Sequence, residues 1–309
     1  MRKILALVLI GLGAFLVVGA VVAQAWVPGQ VERTPLDTDS TTYLEGRAQV
    51  PNADLELEET PVKAFSVNRV DADVSDDDVV TFVSSLCLVR DEGGIDGCVD
   101  TDDPEGRLIS AETGVFATDR HTGMSVNGEE YLPADTPEQD GLQNKFPFGT
   151  EQRTYPVWEG MVGHAIDATY EGTEDLDGLE VYVFQADVDA AGVEVLDGMT
   201  GSFVGATTYY IEPVSGAIVN QVVHQERTVD GVGPILDLDL QFTDEQVATN
   251  IADSKDNVAT LDLMESTVPT VGYAAGVPLL LIGALLLLLG RRPVAAAPEQ
   301  TRDEELAGV

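Results

Sequence analysis

The run from Val268 to Leu289 constrains this chain more than any other stretch. It carries no charge, ends in LLLIGALLLLLG and is closed by Arg291 and Arg292. As a helix it reaches across a hydrocarbon core of about 30 Å. A span near the C-terminus decides in which compartment the earlier residues are read.

A second apolar run, Ile4 to Val27, follows Met1, Arg2 and Lys3 directly. Two readings are open. Arg2 and Lys3 make the basic start of a signal peptide, with Ala23-Gln24-Ala25 as a small-residue cleavage site. The run exceeds the usual apolar region of about 7 to 15 residues, which favours an uncleaved anchor. Basic flanks favour the cytoplasmic side, so both termini are expected inside and the middle outside, with Trp26 and Tyr273 at the outer interface. The expected plan is a cytoplasmic start (1–3), a transmembrane helix (4–27), an extracytoplasmic domain (28–268), a second span (268–289) and a disordered cytoplasmic tail (290–309). The expected location is the plasma membrane.

Lys and Arg total 16 against 54 Asp and Glu, for a formal net charge of −38. Such a surface repels nucleic acid and anionic headgroups, and suits a cell surface bathed in high salt or divalent cations that screen self-repulsion. Lysine is confined to Lys3, Lys63, Lys145 and Lys255. Cys87 and Cys98 flank the Gly93-Gly94 turn signal, and outside the cytoplasm their spacing fits a structural disulfide, free thiols being the alternative. With no histidine nearby they do not make a zinc site.

Between the spans the pattern is β-rich. Thr41–Val50, Pro61–Val70, Val79–Arg90, Arg107–Asp119, Ala165–Tyr170, Leu179–Val188, Ser202–Ile211, Gly216–Arg227 and Pro234–Phe242 read as strands separated by Gly, Pro and Asp turns. That spacing implies an antiparallel meander, sandwich or open barrel, and with the two spans an α+β membrane protein. At Thr243 the pattern changes. Thr243-Asp244-Glu245-Gln246 is a capping box, and Val247, Ile251, Val258 and Leu261 recur at helical spacing, predicting an amphipathic helix over about 244–266. Pro269 is expected to separate that helix from the second span or kink the junction. Gly272-x-x-x-Gly276 and Gly19-x-x-x-Ala23 offer small faces on which the two spans can pack.

Catalytic signatures are missing. No Gly-x-Ser-x-Gly elbow, Walker loop, His-Glu-x-x-His or dinucleotide fingerprint occurs. His121, His164 and His224 are scattered, and acidic pairs such as Asp71/Asp73, Asp100/Asp102, Asp187/Asp189 and Asp237/Asp239 arise by chance at this acidity, without the Gly and Glu of an EF-hand loop. No enzyme, metal or cofactor is expected. The densest unusual stretch is Asn144–Trp158, whose Phe146, Phe148, Tyr155 and Trp158 read either as a Pro-stiffened buried crossover or as an aromatic ledge lining a ligand groove.

At this stretch the chain resembles an actinobacterial envelope family of unknown function called the porin PorA family. The pieces that carry the resemblance are Pro35-Leu36-Asp37 with Ser40, Asp119-Arg120 with Thr122-Gly123, Lys145–Glu151 (KFPFGTE) with Arg153-Thr154-Tyr155, Tyr170-Glu171-Gly172 with Gly178–Phe184 (GLEVYVF), Tyr210–Val219 (YIEPVSGAIV) and Phe242–Glu245. Where the family carries a Cys pair after the Thr-Gly turn, this chain has Ser125-Val126-Asn127-Gly128. The resemblance supplies no catalytic residues. Its label implies a pore, yet a membrane barrel needs an outward apolar band and this region is heavily acidic, so a soluble ectodomain is expected. Two helices holding one sheet-rich domain resemble, in layout alone, the class B scavenger receptors with their lipid tunnel. The first expectation is therefore an envelope protein that binds or transfers an apolar component, with membrane lipid as partner and Phe146, Phe148, Tyr155 and Trp158 as ligand contacts. The alternative is a scaffold for other envelope proteins, and a pore ranks below both. Oligomeric state is not legible.

Overall fold

The computed structural model describes residues 1–52 and 56–289, so the tail at 290–309, with Arg291 and Arg292, lies outside the described residues. The chain forms two compact units, one of Met1–Pro28 with the residues from Asp262 onward, the other Gly29–Leu261.

The first unit is a pair of helices, α1 (Arg2–Ala25) and, after a π turn at Leu263–Thr267, α4 (Val268–Leu288). Each is long and apolar enough to cross a membrane. They run antiparallel along a seam of small residues. A Cβ added at Gly283 would stand 2.9 Å from the Ala6 carbonyl oxygen, one at Gly276 2.9 Å from that of Gly13, and one at Gly272 2.9 Å from that of Leu16 and 2.7 Å from Ala20 Cβ. Ala6, Gly13 and Ala20 repeat at heptad spacing, as do Pro269, Gly276 and Gly283, so the small face stays on the partner along the whole pair. The expected Gly272/Gly276 face is there. Gly19 is not part of it: it has open space where a side chain would go, because it lies about 100° round the helix from Ala20. At the expected junction Pro269 follows directly on the π turn, where Val268 N–H donates to Leu263 O in a widened ladder.

The second unit is built on one antiparallel sheet of ten strands, order β4-β3-β2-β1-β10-β9-β8-β7-β6-β5. The strands are β1 (Asp39–Pro51), β2 (Leu57–Val70), β3 (Val79–Arg90), β4 (Leu108–Asp119), β5 (Tyr155–Glu159), β6 (His164–Leu176), β7 (Leu179–Leu196), β8 (Met199–Ile211), β9 (Ile218–Val229) and β10 (Gly233–Phe242). Two meanders meet where β1 pairs β10, Leu44 opposite Phe242. The β6–β7 turn is Asp177-Gly178, both at positive φ (51° and 82°), the two-residue connection that the twist of a hairpin favours.

The sheet curls into a half-barrel. Its inner face carries Leu44 and Ala48 of β1, Val62 and Ala64 of β2, Leu88 of β3 and Leu236, Leu238, Leu240 and Phe242 of β10 in one apolar cluster. On β5 to β8 that face continues with Tyr155, Val157, Ala168, Phe184, Ala186 and Ile211. Period-two alternation sends the residues between them outward, where Glu45, Asp187, Asp189, Glu226 and Asp239 keep the carboxylates in solvent. Among the described residues the edge strands β4 and β5 are joined at one end. Thr118 bridges Ser125, Met124 bridges Leu142, and Leu142 bridges Val157, with Val126 N–H donating to Ala117 O and Leu142 N–H to Pro156 O, both at 2.8 Å. Beyond this link Ala111–Gly114 of β4 are exposed.

The expected disulfide is present. Cys87 and Cys98 are joined with Cα atoms 5.8 Å apart, holding the β3–β4 connection so that Ile95, Val99 and Leu108 cover Phe65, Cys87 and Val89 on the outer face. A short helical turn, α2 (Pro28–Val31), precedes β1, and the amphipathic helix also forms, as α3 (Asp244–Asp262). Half of its capping box is made: Gln246 N–H donates to Thr243 Oγ1. The Gln246 side chain does not reach back; its Oε1 accepts from Tyr43 N–H at 3.2 Å and ties the helix to β1.

Candidate functional site

The segments that carry the family resemblance come together at the linked end of the half-barrel. At the end of β4, Asp119 Oδ1 accepts from Thr122 N–H (2.7 Å), Thr122 Oγ1 (2.8 Å) and His121 N–H (3.0 Å), while Arg120 Nε donates to the Thr34 carbonyl at 2.8 Å. KFPFGTE lies along YIEPVSG. Phe146 N–H donates to Gly216 O (2.9 Å), Gly149 N–H to Val214 O (2.9 Å) and Thr150 N–H to Pro213 O (2.7 Å). The second segment is braced by Glu212, buried at 2 % exposure, whose carboxylate accepts from Val214 N–H, Ser215 N–H and Ser215 Oγ. Gly216 has φ 73°, and a Cβ there would stand 2.1 Å from the Phe146 carbonyl oxygen, so the packing requires glycine on both counts.

This arrangement drives Phe146 into the end of the barrel. Its ring, 1 % exposed, lies 4.8 Å from Phe184, 5.5 Å from Tyr155 and 5.8 Å from Tyr209. The structure therefore brings two of the four aromatic candidates, Phe146 and Tyr155, into one buried cluster. Phe148 lies elsewhere, stacked on His121 at 5.8 Å with Lys145 Nζ 3.4 Å above its ring. Burial pushes the Lys145 amine down to about 7 despite the nearby carboxylates of Asp119 and Glu32. Trp158 alternates with the inward Tyr155 and Val157, and so sits on the opposite face of β5.

Farther along the inner face is a group of polar side chains that no motif announces. Arg227 of β9 sits in register between Leu236 of β10 and Phe203 of β8, so its side chain points inward among apolar neighbours. Burial lowers its proton affinity, while Glu112 of β4 and Glu159 of β5 act on it to raise it. Glu159 has its pKa raised by burial, and Tyr209 likewise. By surface, Glu159, Tyr209, Gln225 and Arg227 are only half-buried. Each is thus partly enclosed by protein and partly exposed. With Glu112 they come from four separate strands, β4, β5, β8 and β9, which is why local spacing in the sequence is silent.

On the outer face, His224 and Asp239 form a pair at 2.9 Å, with Glu226 3.3 Å from the other ring nitrogen. With Asp237 these could present a metal with three ligand atoms within 4.8 Å of one another. Hydrogen bonds to Asp239 and Glu226 raise the His224 pKa, which favours the imidazolium over a metal-binding lone pair.

Fold and sequence together define a membrane protein with a β domain between two candidate spans. Residues 5–285 match the family described as Porin PorA, and the chain belongs to that family. It is similar to a Porin PorA of Corynebacterium amycolatum, 25% identical over 229 residues, 60% of this chain and 57% of that protein. A Porin PorA of Corynebacterium resistens is 25% identical over 236 residues, 61% of this chain and 53% of that protein. The chain thus spans little more than half the length of the relatives it matches. Membership and the two apolar helices make it a membrane protein of the cell envelope, of a family whose name is that of a porin and not of an enzyme.

Proposed function

We propose that this protein is anchored in the plasma membrane by α1 and α4, with both termini in the cytoplasm and the β domain outside, and that the β domain binds an apolar envelope component and passes it on. The observation that carries the reading is the half-barrel's inner face, apolar on most strands and flanked by a β4 edge exposed at Ala111–Gly114. Phe146 and Tyr155 floor that interior, while Phe148 and Trp158 belong to other surfaces. The outward residues support a domain that stands in water, since carboxylates on alternate positions leave no apolar band for a bilayer.

A second reading, pore formation, has the names of the two Corynebacterium relatives behind it. In that case conduction would involve assembled helices or the barrel interior, not a lipid-embedded sheet. Mass spectrometry of organic extracts from the detergent-purified protein, beside an unrelated two-helix membrane protein, tests the first reading. A lipid enriched near one per chain supports it. No enrichment together with stable conductance in planar bilayers replaces it with the pore. No enrichment and no conductance moves the assignment to a scaffold for other envelope proteins.

A further inference from the structure

We propose that Arg227 receives the anionic head group, carboxylate or phosphate, of the component that the β domain binds, and that the ligand enters sideways between β4 and β5. The inference rests on the lipid-handling reading above and adds the chemistry of the head group.

Three observations converge. The first is an unmet need at Arg227. Its Nε is buried without a hydrogen-bond partner, and among the described residues the guanidinium makes no ion pair and one hydrogen bond, from Nη2 to Gln225 Oε1 at 3.2 Å. A buried donor left unpaired loses its hydration with nothing in return, so a site that retains one is completed by an acceptor. A planar guanidinium with Nε free on one side presents the fork that carboxylates and phosphates occupy in bidentate fashion.

The second observation is the setting. Phe203 and Leu236 flank Arg227 across the sheet, and Phe203 packs with Val195, Val229, Val188, Met161 and Ile235. An amphipathic molecule with a charged end at Arg227 would find apolar walls for its chain. Few cations serve this purpose elsewhere on so acidic a surface. The acidic outside repels an anion, whereas at this inward site Arg227 offers it a cationic partner.

The third is access. β5 has five residues and its outer edge is bridged only at Leu142, while β4 runs for twelve and its outer edge is bridged at Thr118. The remaining stretch of β4 carries Glu112 beside Leu86, which is 45% exposed, at the margin of the inner face. Glu112 and Glu159 both act electrostatically on Arg227. They compete with an incoming anion, so protonating the half-buried Glu159 would strengthen binding.

The test is equilibrium binding of oleate, octadecyl phosphate and oleyl alcohol to the full chain in detergent, for wild type, R227Q and E112Q. Wild type is expected to bind at least one of the two anions about ten-fold more tightly than the alcohol. R227Q should lose that preference while still binding the alcohol. E112Q changes an exposed side chain, so it leaves the packing intact and should tighten anion binding several-fold. Tighter carboxylate than phosphate binding, or the reverse, identifies the head group. If wild type binds anions and alcohol equally well, or E112Q has no effect, the head-group assignment is overturned and lipid handling stands. If none of the three probes binds, both fall.

Discussion

At the scale of single residues, glycine and histidine illustrate two ways in which a side chain is fixed by what surrounds it. Gly216 is determined sterically, by an approach of Phe146 O that admits no Cβ. His224 is determined electrostatically, by Asp239 and Glu226. Its raised pKa means that the folded state holds the proton more tightly than the unfolded chain. The stabilisation is therefore complete below the unfolded value of about 6.5 and is lost as pH rises through the folded value. Because the side chain is more than a third exposed, the effect is about 0.5 kcal/mol. Thermal unfolding of wild type and His224→Gln should differ by that amount near pH 5.5 and coincide near pH 9. A difference that grows with pH would show that the pair acts by packing and not by charge.

At the scale of elements, nine of ten strands were legible from β-branched and aromatic composition and from Gly, Pro and Asp turns, and Val79–Arg90 runs over the residues expected. β5 was not. Tyr155–Glu159 is short, contains Pro156 and belongs to an aromatic-rich stretch that reads as a crossover. Its five residues owe their strand conformation to pairing with His164–Ala168, which local sequence does not encode. The disulfide was legible from spacing and the helix start from its capping box. The Arg227 group was not, because the curl of the sheet brings together residues from β4, β5, β8 and β9 that are far apart in the sequence. The helices add a test of their own. Gly276→Leu would force a side chain into the Gly13 backbone and should destabilise the helix pair by about 1 to 3 kcal/mol. Gly19→Leu meets open space and should be neutral, both read by thermal unfolding in detergent. Equal effects would mean that the seam does not run where Gly13 and Gly276 place it.

At the scale of the whole molecule, charge outweighs any single contact. A formal charge of −38 on 309 residues is an energy stored in the fold, released by screening. Raising sodium chloride from about 0.1 to 1 M shortens the screening length from about 10 to 3 Å. The unfolding temperature of the purified protein should climb by roughly 3 °C over that range, in line with a gain of about 1 kcal/mol. A flat or falling temperature would mean that the carboxylates are spaced to avoid one another already.

The junction between β4 and β5 gives the half-barrel an uneven rim. Neighbouring strands elsewhere are stitched by ladders many residues long, whereas here Met124, Ser125 and Leu142 act as a single clasp. A ring closed this way yields first at its clasp. Thermal motion can part the fastening while the remaining nine seams stay sewn. On the reading proposed above, the ligand enters at this fastening while the sheet that forms the walls stays whole, and little structure has to move.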